Sequence, residues 1–456
     1  MTKLYTVLGA THSNATRQDS TNTDVDYTVT RDDLWNGGNL HGRFVMTNGT
    51  DVPQAWQPGS IAEDLPNWPA STIQCKVMRP FGYYLIALNI TDGSTNYPNR
   101  VRWSNAAAPG TLPTSWALDD ATVDSGQSDV PDPSFGEIVD AQPIRDWLYI
   151  YKRNSVAAMR YIGGTNVFAF SDVFTDIGAL YTGCVAPFSH RGGEFHCVFT
   201  GDRVVVHDGR SVVQTMEGRI GRTLQEELSP NYWKRSFVLN IPGIRENWIC
   251  YPSGDSEIPN RVLVWNYTED TLIFRDLPEE TTWITRGIVA GQDLNLSWDS
   301  DDAAWDTDDT QWGVDNIQQH NLRPVGFIPD GSFKGLAQLD AGLTFNGSVK
   351  TERLERTDLA FVPNRQTKEP IRDLESFKLL RGARFQVDGN IQIRIGVAVE
   401  IGGSVQYGPP INLTPGMNRV DYVASGKSFA VRLVARSNTN WELFGYEPDV
   451  ERLSTY

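Results

Sequence analysis

Short apolar, aromatic or β-branched runs recur along the chain, and Gly, Asn, Asp or Pro bounds each of them. This pattern predicts short strands joined by tight turns. The clearest predicted strands are Tyr83 to Ile90, Trp147 to Tyr151, Phe195 to Thr200, Arg203 to His207, Trp248 to Tyr251 and Val262 to Tyr267. Amphipathic helical windows are scarce, and the best is a short one near Ile220 to Leu228. The chain is therefore predicted to be all-β.

A weak internal repeat predicts how the strands are arranged. The segment Pro98 to Ser104 reappears as Pro259 to Asn266, each time after an apolar strand and a polar turn. Less exact copies run from Trp147 through Tyr161, from Phe195 to His207 and from Arg43 through Trp56. Their spacing of roughly 45 to 65 residues is near the length of a propeller blade. We predict a β-propeller over residues 35–330, with a pair of sandwiches as the alternative.

The sequence changes in character after Pro329-Asp330-Gly331, where basic residues return. Apolar and polar residues alternate in Ile391 to Ile395 and in Phe429 to Leu433, which is typical of half-buried strands in a β-sandwich. Predicted strands are Ala383 to Val387, Ile391 to Val399, Arg419 to Tyr422, Phe429 to Ala435 and Trp441 to Val450. We predict a C-terminal β-sandwich domain over residues 331–456.

Residues 1–34 are predicted to form a polar N-terminal arm. Thr11 to Asp33 is rich in Ser, Thr, Asn and Asp and has too little apolar content to order itself. We therefore expect a neighbouring chain to hold the arm, which favours an assembly over a free monomer. Met1 to Ala10 carries one Lys and passes into polar sequence, so no secretory leader is predicted.

The chain is acidic, with 40 basic residues, 56 acidic residues and a formal net charge of −16. A protein that grips nucleic acid through phosphate contacts needs a basic face, so the total charge argues against that class. Most of the excess lies in two stretches without Lys or Arg: seven acidic residues between Trp103 and Ile144, and eight Asp between Gly287 and Leu322. Each stretch predicts a local acidic surface, and plain solvated loops are the alternative.

Little in the sequence points to catalysis, a cofactor or a membrane. The four cysteines are far apart and lack a CxxC spacing, so reduced core thiols are expected, as in a protein assembled in a cytosol. They are Cys75, Cys184, Cys197 and Cys250. No Gly-x-Ser-x-Gly elbow is present, and the six His are scattered. No run of about 18 apolar residues suggests membrane insertion.

One group of residues has the spacing of a metal-ligand set: Cys184, His190, His196 and Cys197. However, His196 and Cys197 are adjacent in a predicted strand and therefore point to opposite faces. We prefer a buried core Cys beside a surface His, and we predict no metal site here.

The segment Trp298 to Trp312 contains a seven-residue repeat, Trp-Asp-Ser-Asp-Asp-Ala-Ala followed by Trp-Asp-Thr-Asp-Asp-Thr-Gln and Trp. Carboxylates suit calcium, but the segment lacks the turn Gly and the terminal Glu of an EF-hand. We interpret it as an extended acidic loop whose Trp rings pack on a sheet while its Asp residues face water. The candidate anchors are Trp298, Trp305 and Trp312, and the candidate solvent-facing carboxylates are Asp299, Asp301, Asp302, Asp306, Asp308 and Asp309.

A family resemblance connects these features. The stretch Arg100-Val101-Arg102-Trp103-Ser104-Asn105, through Pro109-Gly110 to Pro113-Thr114-Ser115-Trp116, resembles the RWS…P…W segment of tail nozzle proteins of short-tailed bacteriophages. These are also described as tail hub or DNA stabilisation proteins. Weaker similarities follow in the family's order at Thr47 to Trp56, Ile150 to Lys152, Val204 to Gly209, Val264 to Tyr267, Ser425 to Leu433, Trp441 to Leu443 and Gly445-Tyr446. The resemblance spans about Leu34 to Val450. The family often carries a longer region before its first blade, so contacts of this part are expected to differ here.

The resemblance implies a structural, non-enzymatic protein of the virion, made in the host cytoplasm. It implies six copies in a ring, with tail adaptor or head-to-tail connector proteins and tail fibres or spikes as partners. Genomic DNA would pass through without specific binding. An acidic lining would repel phosphates within about 8 Å at physiological salt, and the six Asp residues of the Trp298 to Trp312 segment are the candidate channel-facing groups.

A carbohydrate-binding or carbohydrate-cleaving propeller used in host attachment is the alternative function. Glycosidases need two suitably spaced carboxylates, one of them kept protonated by an apolar pocket. Here the carboxylates cluster in loops such as Trp298 to Asp302 rather than standing singly at strand ends. We therefore expect no hydrolysis of polysaccharide, peptidoglycan or nucleic acid.

Overall fold

A computed structural model of the chain describes residues 2–8, 11–130, 136–164, 166–278, 281–288, 322–328, 335–339, 344–345, 348–349, 353–363, 370–413, 419–435 and 441–454. The chain divides into two compact units, Met1–Leu339 and Asp340–Tyr456. The division follows Leu339, whereas the sequence predicted it after residue 330. Within the described ranges, no helix has the length and apolar character needed to cross a membrane.

The first unit begins with a hairpin of strands β1 (Tyr5–Leu8) and β2 (Thr11–Asn14). Six successive antiparallel sheets follow among the described residues, and we call them blades 1 to 6. Blade 1 contains β3 (Asn36–Leu40), β4 (Arg43–Thr47), β5 (Gln54–Trp56) and β6 (Glu63–Asp64). Blade 2 contains β7 (Ile73–Phe81), β8 (Tyr84–Asp92), β9 (Thr95–Trp103) and β10 (Gly126–Asp129). Blade 3 contains β11 (Ile138–Ile144), β12 (Trp147–Lys152), β13 (Val156–Tyr161) and β14 (Phe168–Phe174).

The second half of this unit repeats the same pattern. Blade 4 contains β15 (Val185–His190), β16 (Gly193–Phe199), β17 (Val204–His207) and β18 (Val212–Thr215). Helix α1 (Glu217–Glu227) and a 3₁₀ turn (Trp233–Arg235) lead to blade 5, which contains β19 (Phe237–Ile241), β20 (Glu246–Tyr251), β21 (Arg261–Asn266) and β22 (Thr271–Asp276). Blade 6 contains β23 (Trp283–Ile288), β24 (Leu322–Ile328) and β25 (Gly335–Gln338).

Contacts between neighbouring blades show a propeller. Within each blade the strands pair in chain order, and the first strand of each blade contacts the first strand of the next, from β3 through β7, β11, β15 and β19 to β23. The first strands are therefore innermost and the last strands lie at the perimeter, as in a radial array of sheets. This arrangement confirms the predicted propeller and rules out the alternative pair of sandwiches.

The sequence repeat marks the third strand of the blades. The segment from Arg100 to Trp103 ends β9, and its counterpart from Arg261 to Asn266 forms β21. Trp56, Tyr161 and His207 end the third strands of blades 1, 3 and 4. Apolar residues on both faces of these inner sheets are buried between blades, for example Leu88 against Ile150 and Val198 with Ile249 in shared clusters. The repeat therefore reflects equivalent packing positions.

The N-terminal arm is held by contacts within its own chain. Tyr27 is buried, and its hydroxyl donates to Gln54 Oε1 at 3.0 Å. The Ala62 amide donates to the Ala15 carbonyl at 2.8 Å, and Arg17 pairs with Asp64 at 2.7 Å. The expectation that the arm has too little apolar content to order itself is therefore wrong, because a few buried side chains anchor it on blade 1.

The second unit is a β-sandwich with its own core. Its strands are β26 (Thr344–Phe345), β27 (Ser348–Val349), β28 (Arg353–Leu359), β29 (Phe361–Pro363), β30 (Pro370–Arg372), β31 (Phe377–Asp388), β32 (Ile391–Ala398), β33 (Gln406–Tyr407), β34 (Ile411–Leu413), β35 (Arg419–Gly426), β36 (Ser428–Ala435) and β37 (Glu442–Ser454). One sheet has the order β28-β36-β32-β33, with β34 also on β32, and the other has the order β35-β31-β37. Ile393 and Val431 from the first sheet share a buried cluster with Phe385 and Val450 from the second. This confirms the predicted sandwich.

Candidate functional site on the turn face of the propeller

One face of the propeller carries both long acidic connections. We define the turn face as the one that carries the connections from the first to the second strand and from the third to the fourth strand of each blade. Most of these connections are tight turns, such as 145–146 and 191–192. Two are long: residues 104–125 join β9 to β10 in blade 2, and residues 289–321 join β23 to β24 in blade 6. The turn face is therefore the candidate functional surface.

Residues 104–125 form a loop that the RWS…P…W residues fix in place. Arg102 is buried, and its Nη2 donates to the Trp116 carbonyl at 2.7 Å. Trp103 Nε1 donates to the Asp124 carbonyl at 2.8 Å. The backbone amide of Leu85 donates to Ser104 Oγ at 3.0 Å. Arg102 and Trp103 thus provide donors for loop carbonyls that would otherwise lack partners, and Ser104 joins the start of the loop to β8.

The far end of this loop is anchored by an aromatic contact. The Trp116 side chain is 2% exposed, and its ring meets Trp68 edge to face with centroids 4.8 Å apart. Asn67 Nδ2 donates to the Pro113 carbonyl at 3.2 Å. Burial of the Trp116 ring fixes the loop against blade 1.

The acidic stretch between Trp103 and Ile144 does not form a single acidic surface. Asp140 is fully buried and pairs with Arg79 at 2.5 Å, while Glu137 pairs with Lys76 at 3.2 Å. Asp129 pairs with Arg100 at 2.8 Å. The exposed carboxylates of the stretch, within the described residues and without a cation partner, are Asp119, Asp120 and Asp124 in the long loop. The prediction of one acidic surface is therefore wrong for most of this stretch, because the pairing of β10 with β9 and the packing of blade 3 against blade 2 bring basic side chains next to it.

The second acidic stretch lies outside the described residues. Asp299, Asp301, Asp302, Asp306, Asp308 and Asp309 all fall there, as do Trp298, Trp305 and Trp312. Its two flanking strands are described, and Ile288 pairs with Leu322. The segment therefore leaves and re-enters blade 6 at adjacent points on the turn face.

The innermost strands are joined by a buried ion pair that sequence reasoning missed. Arg79 on β7 donates through Nε to the Ala141 carbonyl at 2.7 Å and through Nη1 to Asn36 Oδ1 at 3.1 Å. Asp140 on β11 accepts the backbone N–H of Gly183 at 2.9 Å. The pair thus connects the inner strands of blades 1, 2 and 3 with the start of blade 4. The available signal was a basic residue between the apolar residues Met78 and Pro80.

The proposed metal-ligand residues do not converge. All four cysteines are buried thiols, and burial raises the pKa of Cys184 to about 12. Its Sγ donates to the Ser236 carbonyl at 3.2 Å. Among the described residues, no group of three His, Cys, Asp or Glu side chains could hold a metal ion. His196, expected at the surface, is instead fully buried between blades 3 and 4.

His196 belongs to a chain of hydrogen bonds through Tyr151. The Gly209 amide donates to His207 Nδ1 at 3.1 Å, so His207 carries its proton on Nε2 and donates to Tyr151 Oη at 2.7 Å. Tyr151 then donates to His196 Nδ1 at 2.6 Å, and His196 Nε2–H donates to the Pro143 carbonyl at 3.1 Å. Every polar atom of the two rings has a partner when both are neutral. The cluster is therefore a structural connection between blades 3 and 4.

A cavity of about 350 Å³ lies near the arm and the outer strands of blade 1. Its lining includes Arg17, Arg43, Trp56 and Asp64. Arg17 is already paired with Asp64, and the Trp56 indole donates to the Ser60 carbonyl at 2.9 Å. Among the described residues that line this cavity, Trp56 is the one aromatic residue, so the cavity does not resemble an aromatic-lined sugar site.

Comparisons with known proteins give distant matches to solved structures. No protein-family model matches the chain, and no curated protein does. The WD40 domain of SCAP from fission yeast is 10% identical, with a TM-score of 0.33, and the alignment covers 88% of this chain and 94% of that chain. An exo-β-1,3-galactanase from Phanerochaete chrysosporium is 8% identical, with a TM-score of 0.30, covering 94% and 97%. Apo AztD from Citrobacter koseri is 9% identical, with a TM-score of 0.31, covering 54% and 72%. Similarity at this level carries no argument about function.

Proposed function

We propose that this chain is a structural subunit of a phage tail nozzle. Several copies, six by resemblance, would form a ring that extends the tail channel, retains packaged DNA and passes it during ejection. The observation that carries the proposal is the loop 104–125. Arg102, Trp103, Ser104 and Trp116, which carry the family resemblance, are the residues that fix this loop on the turn face.

The charge of the turn face supports a role beside DNA. Asp119, Asp120 and Asp124 are exposed on loop 104–125, and the Asp-rich segment 289–321 leaves blade 6 on the same face. A ring would bring these carboxylates together from every copy. Their repulsion of phosphates acts over about 8 Å at physiological salt, which would keep moving DNA from adhering to the wall.

The same proposal includes the absence of enzymatic activity. Asp140 is the fully buried carboxylate of the described residues, and Arg79 neutralises it at 2.5 Å. A protonated general acid needs an apolar pocket instead. The proposed partners are the tail adaptor or connector proteins and the fibres or spikes, and the proposed location is the virion.

Two measurements test this function. Light scattering with and without the tail adaptor should show a monomer or weak oligomer alone and a ring-sized mass on the adaptor. A screen against host surface glycans and cell-wall fragments should show no turnover. Turnover that disappears when one carboxylate is changed to its amide would instead establish the carbohydrate-cleaving alternative.

A further inference from the structure

Four residues with strained backbone lie in corresponding connections on the turn face. Nine described residues other than Gly have a positive φ, and five of them are Asn or Asp, which tolerate this conformation. The other four are His41, Arg145, Arg191 and Arg245, with φ between 49° and 58°. Each lies in the turn from the first to the second strand of its blade, in blades 1, 3, 4 and 5.

Arginine has no local reason to occupy such a turn. Gly and Asn adopt left-handed backbone at less cost, and Asn-Gly is the favoured pair in two-residue hairpins. Arg191 stands where that Asn would stand, directly before Gly192. Backbone strain retained at three consecutive blades indicates a use for the side chains that project from these turns.

The turns that carry the arginines contact one another across blade boundaries. Between blades 4 and 5, the His190 ring packs against the Tyr267 ring with centroids 5.3 Å apart, and the Tyr267 amide donates to the Arg245 carbonyl at 3.1 Å. Between blades 3 and 4, the Tyr149 hydroxyl donates to the carbonyl of Gly209, which directly precedes Arg210, at 3.1 Å. We call Arg145, Arg191, Arg210 and Arg245 the arginine rim.

Two neighbouring carboxylates accept backbone amides rather than rim guanidinium groups. Glu194 Oε2 accepts the backbone amide of Arg145 at 2.9 Å, and Asp208 Oδ1 accepts the backbone amides of Arg210 and Ser211, both at 2.8 Å. Within the described part of the chain, none of the four rim guanidinium groups has a hydrogen-bond or ion-pair partner. All four side chains belong to exposed residues.

We propose that the arginine rim binds the phosphate groups of duplex DNA. Guanidinium groups match phosphate oxygens in pairs, and phosphate contacts position a duplex without reading its sequence. The exposed large apolar residues of blades 3 to 5 are Tyr161, Ile162, Val212, Val213 and Ile273, which lie on the third or fourth strands or in the connection between them. Among the described residues, the first-to-second-strand turns that carry Arg145, Arg191 and Arg245 therefore lack the exposed apolar centre typical of a protein interface.

This inference rests on the proposed function, which is the reason for choosing DNA as the bound polyanion. It adds a group of arginines that hold DNA to a channel whose other charges repel it. Surrounding carboxylates keep the affinity low, so DNA would be retained at rest yet released under force. Arg145, Arg191, Arg210 and Arg245 are thus the residues of the turn face that would retain DNA. The total charge of the chain, by contrast, argued against phosphate contacts.

The test compares two triple variants of the full chain by fluorescence anisotropy with a labelled duplex of about 30 base pairs. R145Q/R191Q/R245Q removes three rim charges. R356Q/R372Q/R384Q removes three exposed charges from the second unit and is the matched control. Each lost phosphate contact should reduce the magnitude of the slope of log affinity against log salt concentration by about 0.9. For the rim variant, which loses three contacts, this magnitude should be about 2.7 smaller than for the wild type. The wild type should then lose about 40-fold more affinity than the rim variant between about 50 and 200 mM salt.

A single substitution separates binding from structure. R191G should raise the melting temperature, because Gly relieves the strained turn, while it weakens DNA binding. A lower melting temperature together with unchanged DNA binding would show that Arg191 is structural and would overturn its assignment to the rim.

Other results would also overturn the inference. Equal effects of both triple variants, no binding by the wild type at about 50 mM salt, or equal displacement by polyglutamate would each contradict a phosphate site. Ring formation on the adaptor is measured for the rim variant as well, because it tests the nozzle proposal independently of DNA binding. A ring without rim-dependent DNA binding contradicts only this inference, whereas DNA binding without a ring contradicts only the nozzle proposal.

Discussion

At the scale of single residues, the Tyr151 cluster makes the fold sensitive to acid. Burial lowers the pKa of His196 to about 3 and that of His207 to about 4, whereas an unfolded imidazole titrates near 6.5. The unfolded chain therefore takes up protons first as the pH falls, so stability is complete above about pH 7 and decreases towards pH 4.

We predict that the unfolding free energy of the propeller falls by about 2 kcal/mol per ring between pH 7.5 and pH 5. Urea unfolding followed by tryptophan fluorescence at several pH values measures this. H12Q changes an exposed His and should leave the pH dependence intact, whereas Y151F should lower stability at every pH by leaving His207 Nε2–H and His196 Nδ1 without partners. A flat profile between pH 7.5 and 5 would contradict this, because it would show that the folded rings take up protons as readily as the unfolded ones.

At the scale of elements, loop 104–125 depends on Trp116. Trp116→Ala should lower the unfolding free energy by about 3 kcal/mol because it empties a buried site. It should also raise the rate of limited proteolysis within 105–125 by at least tenfold, while circular dichroism of the blades stays unchanged. Leu118→Ala, at a side chain in the same loop that is 41% exposed, is the control and should do neither. Equal cleavage of both variants would mean that Trp116 does not protect the loop and that the protease already reaches it in the wild-type chain.

Local pattern was enough to predict most strands but not the contacts between them. Trp147 to Tyr151 and Ile391 to Val399 were predicted within one residue of β12 and β32, since alternation and turn residues are local properties. The partners of Arg79 and Tyr151 lie in other blades, so spacing along the chain gave no signal for them. Arg145, Arg191 and Arg245 were missed because a positive φ at Arg runs against turn propensity.

At the scale of the whole molecule, the Asp-rich segment should act on DNA rather than on folding. Replacing Asp299, Asp301, Asp302, Asp306, Asp308 and Asp309 with Asn should change the unfolding free energy little, because we expect these carboxylates to face water, where charged groups contribute little to stability. It should slow genome ejection, because phosphates then dwell against the wall. Ejection rates of virions carrying the six changes, at two salt concentrations, test this. Unchanged ejection with lost solubility or host attachment would place the segment on the outer surface.

The central claim is that this chain is a ring-forming subunit of a phage tail. Negative-stain images of the purified protein, alone and with its tail adaptor, test it most directly. We predict single particles alone and, on the adaptor, closed rings of propeller-sized lobes around an open centre. A stable monomer that never associates with tail or portal components would contradict the account.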